Sequence, residues 1–143
     1  MGRVLCIDYG RARIGVAYSD TAKSFSFPLQ VFLKHKKIEL TYREIQTKIS
    51  HLVPFDLIVI GLPLLLNGKE GEMAEEAKAF GIALSAFLSI PHLFWDERLT
   101  SSQADRILKE GNLSRKERSK LSDTMAASII LQNYLDYERL KKK

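Results

Sequence analysis

Apolar and polar positions along this chain fall into short runs of two kinds. Val4 to Ile7 is an uninterrupted apolar run with β-branched residues, and it predicts a strand buried on both faces. Ile14 to Ala17 is a second run, separated from the first by a turn containing Gly10, so the two predict a hairpin. Phe25 to Leu33 predicts a third strand, with Pro28 near its start or on a sheet edge. The spacing then changes. Ile38, Ile45, Ile49 and Leu52 recur at helical intervals, which predicts an amphipathic helix over 38–52 ended by Pro54. Leu57 to Ile60 follows as a continuous apolar run, the pattern of a parallel strand covered on both faces. Met73, Ala77, Phe80, Leu84 and Phe87 predict a second helix, in which Gly81 costs about 1 kcal/mol relative to alanine. His92 to Trp95 predicts a short fifth strand. Thr100 and Gln103 have the spacing of a capping box, opening a helix over 101–110 that Gly111 stops. A last helix runs from about Lys116 or Ser122 to Leu140, with Asp123, Ala127, Ile130 and Tyr134 on one face.

The order β-β-β-α-β-α-β-α-α predicts an α/β fold. Three antiparallel strands are followed by right-handed parallel crossovers, giving one five-stranded mixed sheet with helices on both faces. The 143 residues suffice for one domain with a real core, with no internal repeat, low-complexity tract or linker, so 1–143 is expected to form a single domain.

Composition narrows the function classes. With 45% hydrophobic and 27% charged residues the chain has the balance of an ordinary folded domain, which argues against disorder. No apolar run approaches the roughly 20 residues that span a bilayer, and Asp8 interrupts the first run too early for a signal peptide. Cys6 is the single cysteine, so no internal disulfide is expected, and a reduced, cytoplasmic setting without membrane partners follows. His35, His51 and His92 lack ligand spacing for zinc. The net charge of +5 and pI near 9.4 favour a polyanionic partner. The charge is clustered at Lys34–Lys37, at Arg115, Lys116, Arg118 and Lys120, and at the terminal lysines.

Candidate chemistry lies in the acids. Asp8 ends the first strand pattern beside Gly10, Asp96 and Glu97 end the fifth, and Asp123 stands early in the last helix above small and apolar residues. An acid and a bare glycine backbone at a strand end suit a phosphate-bound Mg²⁺, a hard cation held by one or two carboxylates together with phosphate oxygens. Asp8 and Gly10 are equally able to shape a turn. For Asp123, the competing role is that of a residue in the helix's first turn, with Ser122 as the better cap.

Asp8, Glu97 and Asp123 in these positions resemble the arrangement of the ribonuclease H-like fold. More narrowly, Asp8-Tyr-Gly10-Arg-Ala-Arg13-Ile-Gly15, Ile58-Val-Ile-Gly61-Leu62-Pro63, Asp96-Glu97-Arg98-Leu99-Thr100 and Asp123-Thr-Met-Ala126-Ala127 resemble, in order, the motifs of the YqgF/RuvX family. The resemblance covers nearly the whole chain. It implies a nuclease domain, Holliday junction resolvase-like in fold and in bacteria associated with trimming the 5′ end of precursor 16S ribosomal RNA. It further implies that Asp8, Glu97 and Asp123 are the catalytic, metal-binding carboxylates. Gly10, Arg13, Gly61 and Arg98 would lie around the substrate phosphates. Leu65, Leu66 and Asn67 depart from the family's usual Asn, Met and Asp in the loop after Pro63.

On this reading two Mg²⁺ or Mn²⁺ ions would activate water and stabilise the leaving oxygen. Asp8 would bridge the pair, with Glu97 and Asp123 on either side. Arg13, Arg98, Arg115, Lys116 and Arg118 are candidates for backbone phosphate contacts, which position nucleic acid without reading its sequence. The expected partners are structured RNA or branched DNA, and ribosomal particles, with the protein a monomer or weak dimer. The competing functions are a four-way-junction resolvase, a silent nucleic-acid-binding or assembly factor, and a sugar-kinase-like phosphate binder. The last needs two large lobes, and the chain has material for one.

Overall fold

The computed structural model describes residues 2–63, 65, 67–97 and 115–141, with side chains of the last segment described from residue 125 onward. Its elements are β1 (Arg3–Tyr9), β2 (Arg13–Ser19), β3 (Ser26–Leu33), α1 (Ile38–Ile49), β4 (Phe55–Leu62), α2 (Glu72–Leu88), β5 (His92–Asp96) and α3 (Arg115–Lys141). They match the predicted order. The helix expected over 101–110 lies outside the described residues.

The five strands form one sheet in the order β3-β2-β1-β4-β5. The pairs β1–β2 and β2–β3 are antiparallel, while β1–β4 and β4–β5 are parallel. β1 is therefore central, which explains its nearly unbroken apolar sequence. β3 is an edge strand and accommodates Pro28, whose missing N–H costs no ladder bond there. The β2–β3 register shifts between Val16 and Ala17 beside it.

Strand alternation sorts β1 onto two cores. Leu5, Ile7 and Tyr9 face a cluster with Ile45, Ile49, Phe80 and Leu84 from α1 and α2. Val4 and Cys6 face a second cluster with Val59, Ala127, Ile130 and Leu131, under α3. By the same alternation Asp8 belongs to the α3 face.

Two helices depart from the predicted stripes. α1 ends at Ile49, where Ser50 closes it with its N–H to the Thr47 carbonyl, and Leu52 packs from the following turn. In α2 the buried positions are Ala74, Ala77, Phe80, Gly81 and Leu84, while Phe87 is partly exposed. Small residues predominate because the helix lies close to the sheet. A Cβ at Gly81 would overlap the Ile60 side chain, so the glycine that weakens the helix is what lets it dock.

α3 is pinned to the start of β3. Gln132 accepts a hydrogen bond from the Ser26 N–H (2.9 Å) and donates one to the Ser24 carbonyl (2.9 Å), and the Ser26 hydroxyl donates to the Ser128 carbonyl (2.7 Å). The helix is continuous from Arg115, so Ser122 and Asp123 lie inside it and neither is its N-cap.

Candidate active site

Asp8 is the penultimate residue of β1 and stands opposite Gly15 of β2. On the other side β4 pairs in parallel through Ile7 and Ile60, and Gly61 is the next residue along. The acid is thus flanked on its own face by two positions without side chains. That is the signal a glycine inside a strand gives for close approach of another group.

The group is Glu97. One residue past β5, its N–H donates to the Leu62 carbonyl at 3.2 Å, extending the β4–β5 ladder by a step. A Cβ built on Gly61 would collide with the Glu97 Oε2 and come within 3.0 Å of the Ile130 Cδ1. The Glu97 carboxylate therefore lies over Gly61, roofed by α3. Oε2 is enclosed and has no hydrogen-bond partner among the described residues. Burial, followed by the nearby charge of Asp8, a hydrogen bond with it and the charge of Asp96, pushes the Glu97 carboxyl up to about 8. The same pair reaches Cys6, whose thiol is raised by burial first and then by Asp8 and Glu97.

Asp8 also lines a cleft of about 190 Å³ with Tyr9, Gly10, Arg13, Gly15 and Val31. A Cβ at Gly10 would stand 2.6 Å from the Arg13 carbonyl oxygen, so the β1–β2 turn closes tightly only on glycine. Gly10 and Arg13, predicted to face substrate, thus share the cleft with the acid. Gly61, predicted as a phosphate contact, has a different structural reason in the space it leaves for Glu97.

Asp123 lies in α3 one turn before Ala127, which is buried against the sheet. Its side chain lies outside the described residues, as do those of Arg115, Lys116 and Arg118 and the whole of Arg98, Leu64 and Leu66. Among the described residues no group of three potential metal ligands is assembled. Asp96 is the exposed last residue of β5, paired with Leu62 of β4, and so stands in the strand rather than in a turn.

A network unforeseen in the sequence holds the turn. Arg11 binds Glu76 of α2 through Nε (2.9 Å) and Nη2 (2.7 Å), and the Tyr9 hydroxyl donates to the same carboxylate (3.1 Å). Nothing local in the sequence pairs Arg11 with Glu76, because the contact spans two elements.

A family model described as "RuvX: Holliday junction resolvase" matches residues 2–137. The chain belongs to the RuvX family. Relatives named "Putative pre-16S rRNA nuclease" include one from Protochlamydia amoebophila, 46% identical over 94% of this chain and 93% of that protein. Another, from Syntrophomonas wolfei, is 42% identical over 98% of each. A solved structure of Thermus thermophilus RuvC in complex with a Holliday junction substrate is similar in fold. Its TM-score is 0.60 at 15% identity, covering 98% of this chain and 96% of that one. The ribonuclease H-like architecture of this RuvX member agrees with that similarity.

The residues present fit a divalent cation. An enclosed carboxylate oxygen without a partner among the described residues and a second carboxylate beside it, with a glycine that makes room for the first, are oxygen donors of the kind a hard cation takes. Among the described residues, no helix is long and apolar enough to cross a membrane.

Proposed function

We propose that this protein is a metal-dependent nuclease that hydrolyses phosphodiester bonds and trims the 5′ end of precursor 16S ribosomal RNA, acting on ribosomal particles. The observation that carries the chemistry is the Glu97 Oε2, enclosed without a hydrogen-bond partner among the described residues, on a carboxylate that lies over Gly61 and beside Asp8. The names of the curated relatives support the substrate.

Asp8 and Glu97 would hold Mg²⁺ or Mn²⁺, with Asp123 of α3 as the third ligand of a two-ion site. When bound, such ions lower the pKa of a water and stabilise the leaving oxygen. This chain's residues prepare for that. Glu97 carries its proton near neutral pH while no cation competes for it, and releases it when one does. Arg13, which lines the Asp8 cleft, would contact the scissile phosphate through its guanidinium. Gly10 lets the β1–β2 turn close tightly, which holds Arg13 beside the acid in the same cleft.

The test offers the purified protein a 5′-extended ribosomal RNA fragment and a four-way DNA junction, each with Mg²⁺ or Mn²⁺. Cleavage of the RNA is the expected result. Cleavage of the junction alone would replace the processing role with resolution, the activity in the family's description.

A further inference from the structure

The lysine cluster at 34–37 is not accounted for by the acids. Tyr9, next in chain to Asp8, turns its ring to the opposite face of β1 and packs on Phe80, with centroids 5.4 Å apart. It lines the Asp8 cleft and also a groove of about 420 Å³ between the loop after β3 and α2. Lys34, His35 and Lys36 edge that groove. The two loops are tied together, because the Lys34 N–H donates to the Ala12 carbonyl at 2.9 Å. The Lys34 Nζ in turn donates to the Tyr9 hydroxyl at 3.0 Å and stands 5.3 Å from the ring centroid. The groove and the cleft thus lie on opposite faces of the sheet at the same end of β1, and Tyr9 lines both.

Packing does not explain these cations. Lys36 and Lys37 are exposed, and neither has a carboxylate within ion-pair distance among the described residues. They also stand at the positive end of α1, where Lys37 makes no side-chain cap and a lysine is electrostatically unfavourable. Of the acids near the groove, Glu39 in the first turn of α1 acts on Tyr42 by its charge, and the other two are engaged. Glu76 is held by Arg11 and Tyr9, and Glu44 by His35.

We propose that this groove is a second contact site for the substrate, in which Lys34 and Lys36, with Lys37 next to them at the start of α1, bind the phosphodiester backbone of the RNA strand as it passes from the Asp8 cleft around the end of the sheet. The inference rests on the nuclease reading for its substrate, and adds where the strand goes. Backbone contacts of this kind contribute affinity and register rather than sequence preference.

The test is fluorescence anisotropy with a labelled single-stranded RNA about 20 nucleotides long in EDTA, at 50–200 mM KCl. The charge-reversed Lys36→Glu/Lys37→Glu protein is compared with wild type and with Lys48→Glu/Lys141→Glu, which changes net charge equally at exposed lysines elsewhere. The expected result is affinity about tenfold or more weaker at 50 mM salt and a log–log salt slope smaller by about 1–2 in the groove variant alone. Unchanged circular dichroism and melting temperature show that the variant folds. Equal affinity and slope, equal losses in the control, or no RNA binding by wild type would each overturn the proposal. Hydrolysis of bis(p-nitrophenyl) phosphate by the wild-type protein with Mn²⁺ runs alongside. Its failure would count against the nuclease reading, whatever the binding result.

Discussion

The carboxylate of Glu97 occupies the space in which a side chain at position 61 would begin. A methyl group there must displace either that carboxylate or the Ile130 side chain that roofs it. Gly61→Ala is therefore expected to cost about 1–3 kcal/mol of stability through overpacking. It should lower nucleic-acid cleavage by about a hundredfold, since small misplacements of a catalytic group have effects of that order. Cleavage rates and urea melts of the variant check both. A wild-type rate would show that Glu97 need not lie over residue 61.

Stability without metal should depend on pH through Glu97. Its carboxyl is raised to about 8 in the folded protein, from an ordinary value of 4.5. Below pH 4.5 it is neutral folded or unfolded and costs nothing. Between 4.5 and 8 the unfolded chain loses the proton while the folded one keeps it, so stability falls as pH rises, and it levels off above 8. Glu97→Gln removes this term. In EDTA it should be more stable than wild type at pH 8, by up to about 5 kcal/mol at roughly 1.4 kcal/mol per pKa unit, with the difference gone near pH 4. Urea titrations at both pH values measure this, and a pH-independent difference would contradict it.

Divalent cations should oppose the same proton. Affinity for Mn²⁺ is expected to rise from pH 6 to 8 in wild type and to be lost in Asp8→Asn. Trp95, the single tryptophan, reports on it. Its ring is packed between Tyr134 (5.4 Å) and Tyr137 (5.3 Å), two residues before Glu97. Mn²⁺ should quench its fluorescence in wild type alone. EDTA should abolish cleavage in the same samples.

Gly81→Ala sets two effects against each other. Helix propensity favours alanine by about 1 kcal/mol. The new methyl would overlap the side chain of Ile60, which is fully buried and has nowhere to swing, at a cost of about 1–3 kcal/mol. A net loss of about 1 kcal/mol is expected in a thermal melt, with cleavage at 25 °C unchanged. A gain in stability would mean that α2 can lift from the sheet.

Much of this architecture was legible because hydrophobic period reports local structure directly. The runs at Val4–Ile7 and Leu57–Ile60 mark central strands, and Pro28 marks an edge. Asp8 could be singled out because the strand and Gly10 frame it locally. The relationships that position the site were not legible. Glu97 meets Gly61 only after β4 and β5 have paired, and Arg11 meets Glu76 only after α2 has docked. Gly81 reads as a defect until the nearness of Ile60 is known. The backbone places Asp123 on the helix one turn before Ala127, and its side chain, like Arg98, lies outside the described residues.

The most direct test of the central claim, that Asp8 and Glu97 over Gly61 form the hydrolytic centre, is single-turnover cleavage of a 5′-extended ribosomal RNA fragment with Mg²⁺. Wild type, Asp8→Asn and Glu97→Gln are compared at matched circular dichroism. The account predicts metal-dependent cleavage by wild type and a loss of at least about a thousandfold in each variant, the order expected when an electrostatic contribution to the transition state is removed. Cleavage by either folded variant at the wild-type rate would contradict it.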